Sequence, residues 1–483
     1  MEEINFLKEQ IKDNVIKWYP FDVNINYNIL DHFSKDDEKK LQDICNNMDK
    51  NQRIILLLEN KLALKNVCQE DELYIDKKKK LYNKKEIEKL LDSYGLKYRK
   101  FYYVLPDIET ANVIFTDEFT PTKESISRNI GLYNETTIKN DENKLFVDLI
   151  EQDNSLFKVF TNCFFIECSC EPFNSNGIKF VSFSNMRKEE YRIQTTIKED
   201  IVYKKAFNQK AERHIENIKS NIDILNSLAI KTLDSYENNI IMSKYQENEK
   251  TLYLIINEKI RLKQEKELIE ILKQFFDFLK QKLVVIEKEN NIFDRLNIEY
   301  KKENIENLTF IKYGFWDMTF QNVFYINNEF YVYDQEWIEE VIPLEFIIYR
   351  SYAYCKEIKE FLDEKNILTN FGLTKENIEL FKRLDIKIQE RIRNDVFWKY
   401  HNNKVTIKEL KIIKEKIEKD CIKLLNGKDA RINLLEKNME ETIKLLQEKK
   451  NEIEVIKNST SWKITKPLRK IGKGIRKENE NKG

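Results

Sequence analysis

The segment Tyr313–Trp337, YGFWDMTFQNVFYINNEFYVYDQEW, constrains this chain more than any other. Two short β-rich runs, NVFYI and EFYVYD, flank Asn327-Asn328, and a pair of turn-forming residues between such runs predicts a tight hairpin. A hairpin brings its two ends together. Asn322 then meets Asp334 closely enough for a metal to bridge them, and Asp317 stands five residues before Asn322.

The spacing of Asp317, Asn322 and Asp334 resembles the catalytic segment of the protein-kinase-like superfamily that includes aminoglycoside phosphotransferases and the sugar kinases of bacterial lipopolysaccharide cores. Gly314 lies three residues before Asp317, where that family has His-Gly, and Asp334-Gln335-Glu336 stands where it has Asp, a hydrophobic residue and an acid. The His is absent. The resemblance implies that Asp317 accepts the proton of an attacking hydroxyl, while Asn322 and Asp334 ligate the magnesium ions that bridge the phosphates of ATP or another nucleoside triphosphate. The competing reading is a buried hairpin whose acids cap turns.

A kinase-like chain needs a second lobe upstream. IKFVSFS and YRIQTTI alternate as two strands joined through NMRKEE, and a short strand containing Val202, Lys204 and Ala206 on one face precedes a helix. The resemblance makes Lys204 the phosphate-clamping lysine, with Glu212 or Glu216 on that helix as its ion-pair partner. The hairpin has no glycine to let backbone N–H groups approach phosphate. NNIIMSKY and TLYLIINEKI read as two further strands leading to a nucleotide-binding hinge at Asn257 and Glu258, with amphipathic helices from Leu262 to Leu283. IPLEFIIYRSYAYCKEIKEFL reads as a long apolar helix whose Tyr and Phe residues are core.

The first 170 residues read differently. Ile54–Leu58 is a buried-strand run, and YNKKEIEKLLDSYGLKYRKFYYVLPD reads as an Asn-capped helix, a stop at Gly95 and a strand. With VIFTDEFTP and FKVFTNCFFIE, this stretch resembles the C-terminal half of S-adenosylmethionine-dependent methyltransferases of Firmicutes surface-glycan clusters, in which a region like 178–360 follows. A methyltransferase of that class binds its cofactor on a Gly-rich turn after the first strand. Here the first glycine is Gly95, so a shortened methyltransferase-like domain with S-adenosylmethionine binding unlikely is expected.

Composition bounds the rest. The 483 residues carry 83 Lys+Arg and 83 Asp+Glu, a balance that gives no electrostatic reason for nucleic-acid binding. No apolar run reaches the ~18 residues of a membrane span, and the N-terminus is acidic rather than signal-like, which predicts a cytoplasmic protein. Cys168 and Cys170 alternate in a strand-like run and read as reduced core residues, and His32, His214 and His401 read as structural. From Val405 to Lys457 the pattern is helical, with Ile432, Leu435, Met439, Leu446, Ile453 and Ile456 at heptad positions, predicting a helical hairpin or a coiled coil for self-association or a partner helix. Lys463–Lys477 carries seven basic residues and no acid beside Trp462, a composition suited to peripheral contact with an anionic membrane.

The expected organisation is therefore an α+β or α/β multidomain chain: 1–170 methyltransferase-like, 171–400 kinase-like with lobes at 175–258 and 259–400, 404–457 helical and 458–483 a basic tail. The expected activity is Mg-ATP-dependent phosphotransfer to a sugar or other small hydroxyl acceptor in surface or flagellar glycan synthesis. The alternatives are a non-catalytic assembly scaffold of such a pathway and residual methyl transfer.

Overall fold

The computed structural model describes residues 14–49, 51–68, 79–126, 137–138, 141–246, 249–354, 358–359, 361–362, 368–396, 405–406 and 441–452. Strands β1 (Asn26–Leu30), β2 (Gln52–Glu59), β3 (Tyr98–Leu105), β4 (Val113–Thr116) and the two-residue β5 (Thr137–Ile138) come first. They are followed by β6 (Cys163–Ser169), β7 (Ile178–Phe183), β8 (Ile193–Lys198), β9 (Ile201–Ala206), β10 (Asp234–Glu237) and β11 (Ile240–Lys244). Ten of these form one mixed sheet in the order β1-β2-β6-β3-β4-β7-β8-β9-β11-β10. Helices pack on it, and a largely helical region follows, so the protein is a mixed α/β chain.

The sheet's first half is built from strands buried on both faces. Ile54, Leu56 and Leu58 share one apolar core with Phe101, Tyr103 and Phe164, while Ile55 and Leu57 share the opposite one with Tyr102, Val104 and Phe165. The period-2 alternation of side chains produces that split. Helix α1 (Lys84–Ser93) lies beside this half and confirms its sequence signals: the Asn83 side chain accepts from Glu86 N at 2.9 Å, and the Glu86 carboxylate accepts from Asn83 N at 3.0 Å. Leu96 N donates to Leu91 O and Gly95 N to Asp92 O, closing the helix on a glycine at φ 77°.

Strand pairing in this half bears on the expected methyltransferase-like domain and its boundary. A methyltransferase-like domain rests on a mostly parallel sheet, yet only β1–β2 is parallel, whereas β2–β6, β6–β3, β3–β4 and β4–β7 are antiparallel. Residue 170 is also no boundary of sheet or core. Val113, Ile114 and Phe115 of β4 pair with Ser182, Val181 and Phe180 of β7, and Phe180 and Ile197 join the core built by β2, β3 and β6.

The sheet's second half, β7 to β11, is antiparallel throughout, with helix α2 (Glu212–Ser227) inserted between β9 and β10. The α2 residues Ile215, Ile218 and Ile222, at helical spacing, pack on Ile193 and Ile241 of the sheet. TLYLIINEKI is not a strand. Thr251 caps helix α3 (Leu252–Arg261) by accepting from Leu254 N at 3.4 Å, and α4 (Glu265–Lys282) follows. The pattern is ambiguous because Leu252 and Ile256 alone supply its buried face, at the four-residue helical spacing, while Leu254 is exposed.

Beyond α4, β12 (Phe310–Gly314) pairs with β15 (Glu339–Pro343), and β13 (Val323–Ile326) pairs with β14 (Glu329–Val332) in the expected hairpin. Asn327 and Asn328, at φ 51° and 64°, make its turn. Helices α5 (Leu344–Ala353) and α6 (Lys375–Ile392) complete this region around a core of Phe275, Phe293, Phe315, Phe346 and Phe381. Cys168 is buried, but Cys170 is exposed rather than core. Val405–Thr406 forms a two-residue strand, β16, parallel to β5, where a helix was expected; 441–452 is helical, with Leu446 exposed. The remaining heptad positions and the basic tail lie outside the described residues. Among the described residues no helix is long and apolar enough to cross a membrane.

Candidate functional site

A cleft of about 660 Å³ opens between the sheet's second half and the β13–β14 hairpin. Its lining includes Phe180, Arg187, Val202, Lys204, Asp234, Tyr245, Phe324, Asp334 and Glu336. Phe119 reaches it from the first half, with its ring 5.0 Å from Phe180 and 5.9 Å from Tyr245. The antiparallel order places Lys204 of β9 on the inner face, and the hairpin delivers Asp334 opposite it. Lys204 Nζ pairs with Asp334 Oδ1 and lies 3.3 Å from Glu336 Oε1.

The lysine's partners are therefore Asp334 and Glu336, not Glu212 or Glu216. Both of those project from the exposed face of α2, and Glu216 pairs with Lys219 at 2.7 Å. The α2 residue that faces inward is His214, whose Nε2 is 3.3 Å from Glu336 Oε2 and whose ring stacks on Trp337 at 4.5 Å. Two helical turns on, Asn221 donates to the Gln335 carbonyl at 3.1 Å. Arg187, from the loop between β7 and β8, also pairs with Glu336 Oε2. Burial would raise the Glu336 carboxyl, but Arg187, Lys204 and His214 outweigh it and hold the group well below the ordinary carboxylate range. Glu258 is likewise displaced from its expected hinge role: it sits on α3 and pairs with Lys250 at 2.6 Å.

Asn322, expected beside Asp334, makes its side-chain hydrogen bonds to Asp317. Asn322 Nδ2 donates to the Asp317 carbonyl at 2.9 Å and to its Oδ2 at 3.1 Å. Tyr333 N donates to the Asn322 carbonyl at 3.1 Å, which sets Asp334 next to the start of the hairpin. Asp317 leaves 26% of its side chain exposed; burial pushes its carboxyl above the ordinary value, opposed by Arg350, whose Nη2 is 3.7 Å away. Arg350 in turn lies over Trp316 at 4.2 Å and within 3.6 Å of Asp385. These groups give a proton acceptor, a cation beside it and oxygen donors at Asn322 and Asp334.

Asp334 itself is at φ 60°, a sparsely populated conformation for a residue with a side chain. Asp234 of β10 fixes it by accepting from Asp334 N at 2.7 Å. Sequence reading missed Asp234, Arg187 and Arg350. Asp234 and Arg350 carried no local signal, whereas Arg187 sat inside the hairpin turn that had been noted only for lacking glycine. The site's hard oxygen donors suit magnesium, which takes few protein ligands and keeps phosphate and water oxygens; among the described residues no three His, Cys, Asp or Glu side chains cluster to hold a metal alone. No protein-family model matches the chain, and no curated protein sequence matches it.

Two outcomes follow from these contacts. Replacing Glu336 with Ala takes from Arg187 its carboxylate, leaves Lys204 with Asp334 alone and should destabilise the fold by about 3 kcal/mol, while Glu212→Ala and Glu216→Ala should stay within about 0.5 kcal/mol of the parent. Urea denaturation distinguishes these; equal effects at all three positions would restore the helix glutamates as partners. Burial also lifts the Asp234 carboxyl from 3.8 to about 6. A raised carboxylate contributes stability below its unfolded pKa and loses it as pH rises through the folded one. The parent should therefore lose up to about 3 kcal/mol between pH 4 and 7 relative to Asp234→Asn, and parallel stability profiles would contradict the assignment.

Proposed function

We propose that the cleft binds a nucleoside triphosphate with magnesium and that the chain transfers the terminal phosphoryl group to a hydroxyl acceptor, a sugar or similar small molecule. The observation that carries this reading is the pairing of Lys204, from β9, with Asp334 in the cleft, beside the start of the hairpin where Asn322 bonds Asp317. The succession of three antiparallel strands, β7 to β9, and the inserted helix α2 supports that reading. The apolar lining of Phe180, Val202, Tyr245 and Phe324 suits a planar base.

Lys204 pairs with the phosphates of the bound nucleotide. Because Glu336 already holds that lysine, it keeps a partner when Asp334 turns away. Asn322 and Asp334 are the residues that would hold magnesium, which supplies neutralisation of phosphate charge when bound. The acceptor oxygen forms a bond to the terminal phosphorus, the bond from that phosphorus to the bridging oxygen breaks, and the nucleoside diphosphate leaves. Asp317 takes the hydroxyl proton, and its upward-shifted carboxyl makes it a stronger base than an exposed aspartate. Arg350 keeps that carboxylate ionised and oriented. S-Adenosylmethionine has no part in this reading, since the described residues before Gly95 offer no glycine turn for it.

The test is thermal stabilisation of the full chain by ATP with Mg²⁺, measured beside S-adenosylmethionine. A ligand at about 100 times its dissociation constant adds about 2.7 kcal/mol. Stabilisation is expected with Mg-ATP alone; Asp334→Asn should remove its Mg²⁺-dependent part, and Asp317→Asn should keep nucleotide binding while abolishing phosphate transfer. Stabilisation by S-adenosylmethionine instead, or an unchanged Mg²⁺ response in Asp334→Asn, would overturn the reading.

A further inference from the structure

The loop between β7 and β8 lines one end of the cleft through Ser184, Asn185, Met186 and Arg187, and much of its backbone is held by other parts of the chain. Ser184 N donates to Ile193 O, Arg187 N to Ser184 O, Tyr191 N to Lys188 O and Arg192 N to Glu189 O. Lys188 N is taken by Ile392 O at the end of α6, and Asn394 N returns a bond to Met186 O at 2.7 Å. The buried Arg192 adds Nε to Arg187 O at 3.1 Å. A loop held this way presents its side chains in fixed positions.

One of those side chains points at the right place. Arg187 lines the cleft and reaches the same carboxylate, Glu336, that holds Lys204. Its Nη1 takes Glu336 Oε2 and the Tyr191 carbonyl, at 3.5 Å for the latter, while Nε and Nη2 make no hydrogen bond among the described residues. The guanidinium lies over Trp337 at 5.3 Å, and a quarter of the side chain remains exposed. A planar fork with free donors, pre-set beside a lysine, is a phosphate-binding arrangement.

We propose that Arg187 contacts the phosphates of the nucleotide, supplying through its guanidinium the contact that a glycine-rich backbone makes in loops built for it. This rests on the nucleotide reading of the cleft. It also explains how a hairpin without glycine can serve such a site. Held by Glu336 on one edge, Arg187 offers the other edge to the ligand, so the loop substitutes a charged side chain for backbone N–H groups.

The experiment is calorimetric titration of the full chain with Mg-ATP and with AMP, for the parent, Arg187→Met and Arg187→Lys. Loss of a charge-assisted contact to the outer phosphates should weaken Mg-ATP about tenfold or more in Arg187→Met, with AMP affinity changed less than about twofold by the same reasoning. Arg187→Lys keeps the charge toward Glu336 and decides the matter if the Met variant fails to fold; it should show a smaller loss, again confined to Mg-ATP, because an ammonium cannot fork. Equal weakening of Mg-ATP and AMP, or no change in either, would mean that Arg187 serves only as the counter-ion of Glu336 and would overturn the proposal. Failure of the parent to bind either nucleotide would instead bring down the phosphotransfer reading itself, a result visible before any variant is made.

Discussion

Glu336 is the point on which the two sides of the cleft are joined. A single buried carboxylate faces Lys204 from β9, Arg187 from the β7–β8 loop and His214 from α2. An ionised group at 5% exposure is tolerable only with such partners, and their charges are tolerable only because of it. The consequence is mechanical as well as electrostatic: the strand, the loop and the helix are all referenced to the tripeptide Asp334-Gln335-Glu336. Asn221 of α2 bonds its middle carbonyl and Asp234 of β10 its first N–H, so the turn that carries Asp334 is gripped from both the helix and the sheet.

The continuous sheet makes the first 170 residues part of this arrangement. Because β4 pairs with β7, the strand that precedes the Arg187 loop is itself anchored to the buried strands of the first half, and Phe119 enters the cleft beside Tyr245. The first half is thus a wall of the site and not a separate appendage. The aromatic series running from Tyr191 and His214 through Trp337 and Trp316 to Arg350 links the Glu336 cluster to Asp317 through packed rings. Packed contacts of this kind fix relative positions with little slack.

The parts legible in the sequence were those encoded by short-range physics. The Asn327-Asn328 turn, the Asn83 cap and the Gly95 stop each depend on residues within a few positions of one another, and the turn in between sets Asn322 and Asp334 at the two ends of one hairpin. What escaped was settled by tertiary partners. Nothing local distinguishes His214 from Glu212 and Glu216 as the inward residue, since all three lie within about one helical turn and the choice depends on how α2 rolls onto Ile193 and Ile241. Glu258 was misplaced because a helix burying only Leu252 and Ile256 on one face reads like a strand in a window this short. Strand direction in the first half carried no sequence signal either: strands buried on both faces give the same apolar runs whether their neighbours run parallel or antiparallel.

The central claim is that Asn322 and Asp334 form a metal site only together with nucleotide phosphates. Electron paramagnetic resonance of Mn²⁺ titrated into the full chain tests it directly, since the free ion's signal falls as the ion is bound. The account predicts negligible uptake by the protein alone and uptake at one site per chain when a non-hydrolysable ATP analogue is present, beyond what the analogue takes up in solution. Mn²⁺ uptake that is the same with and without the analogue, or none beyond the analogue's own, would contradict it.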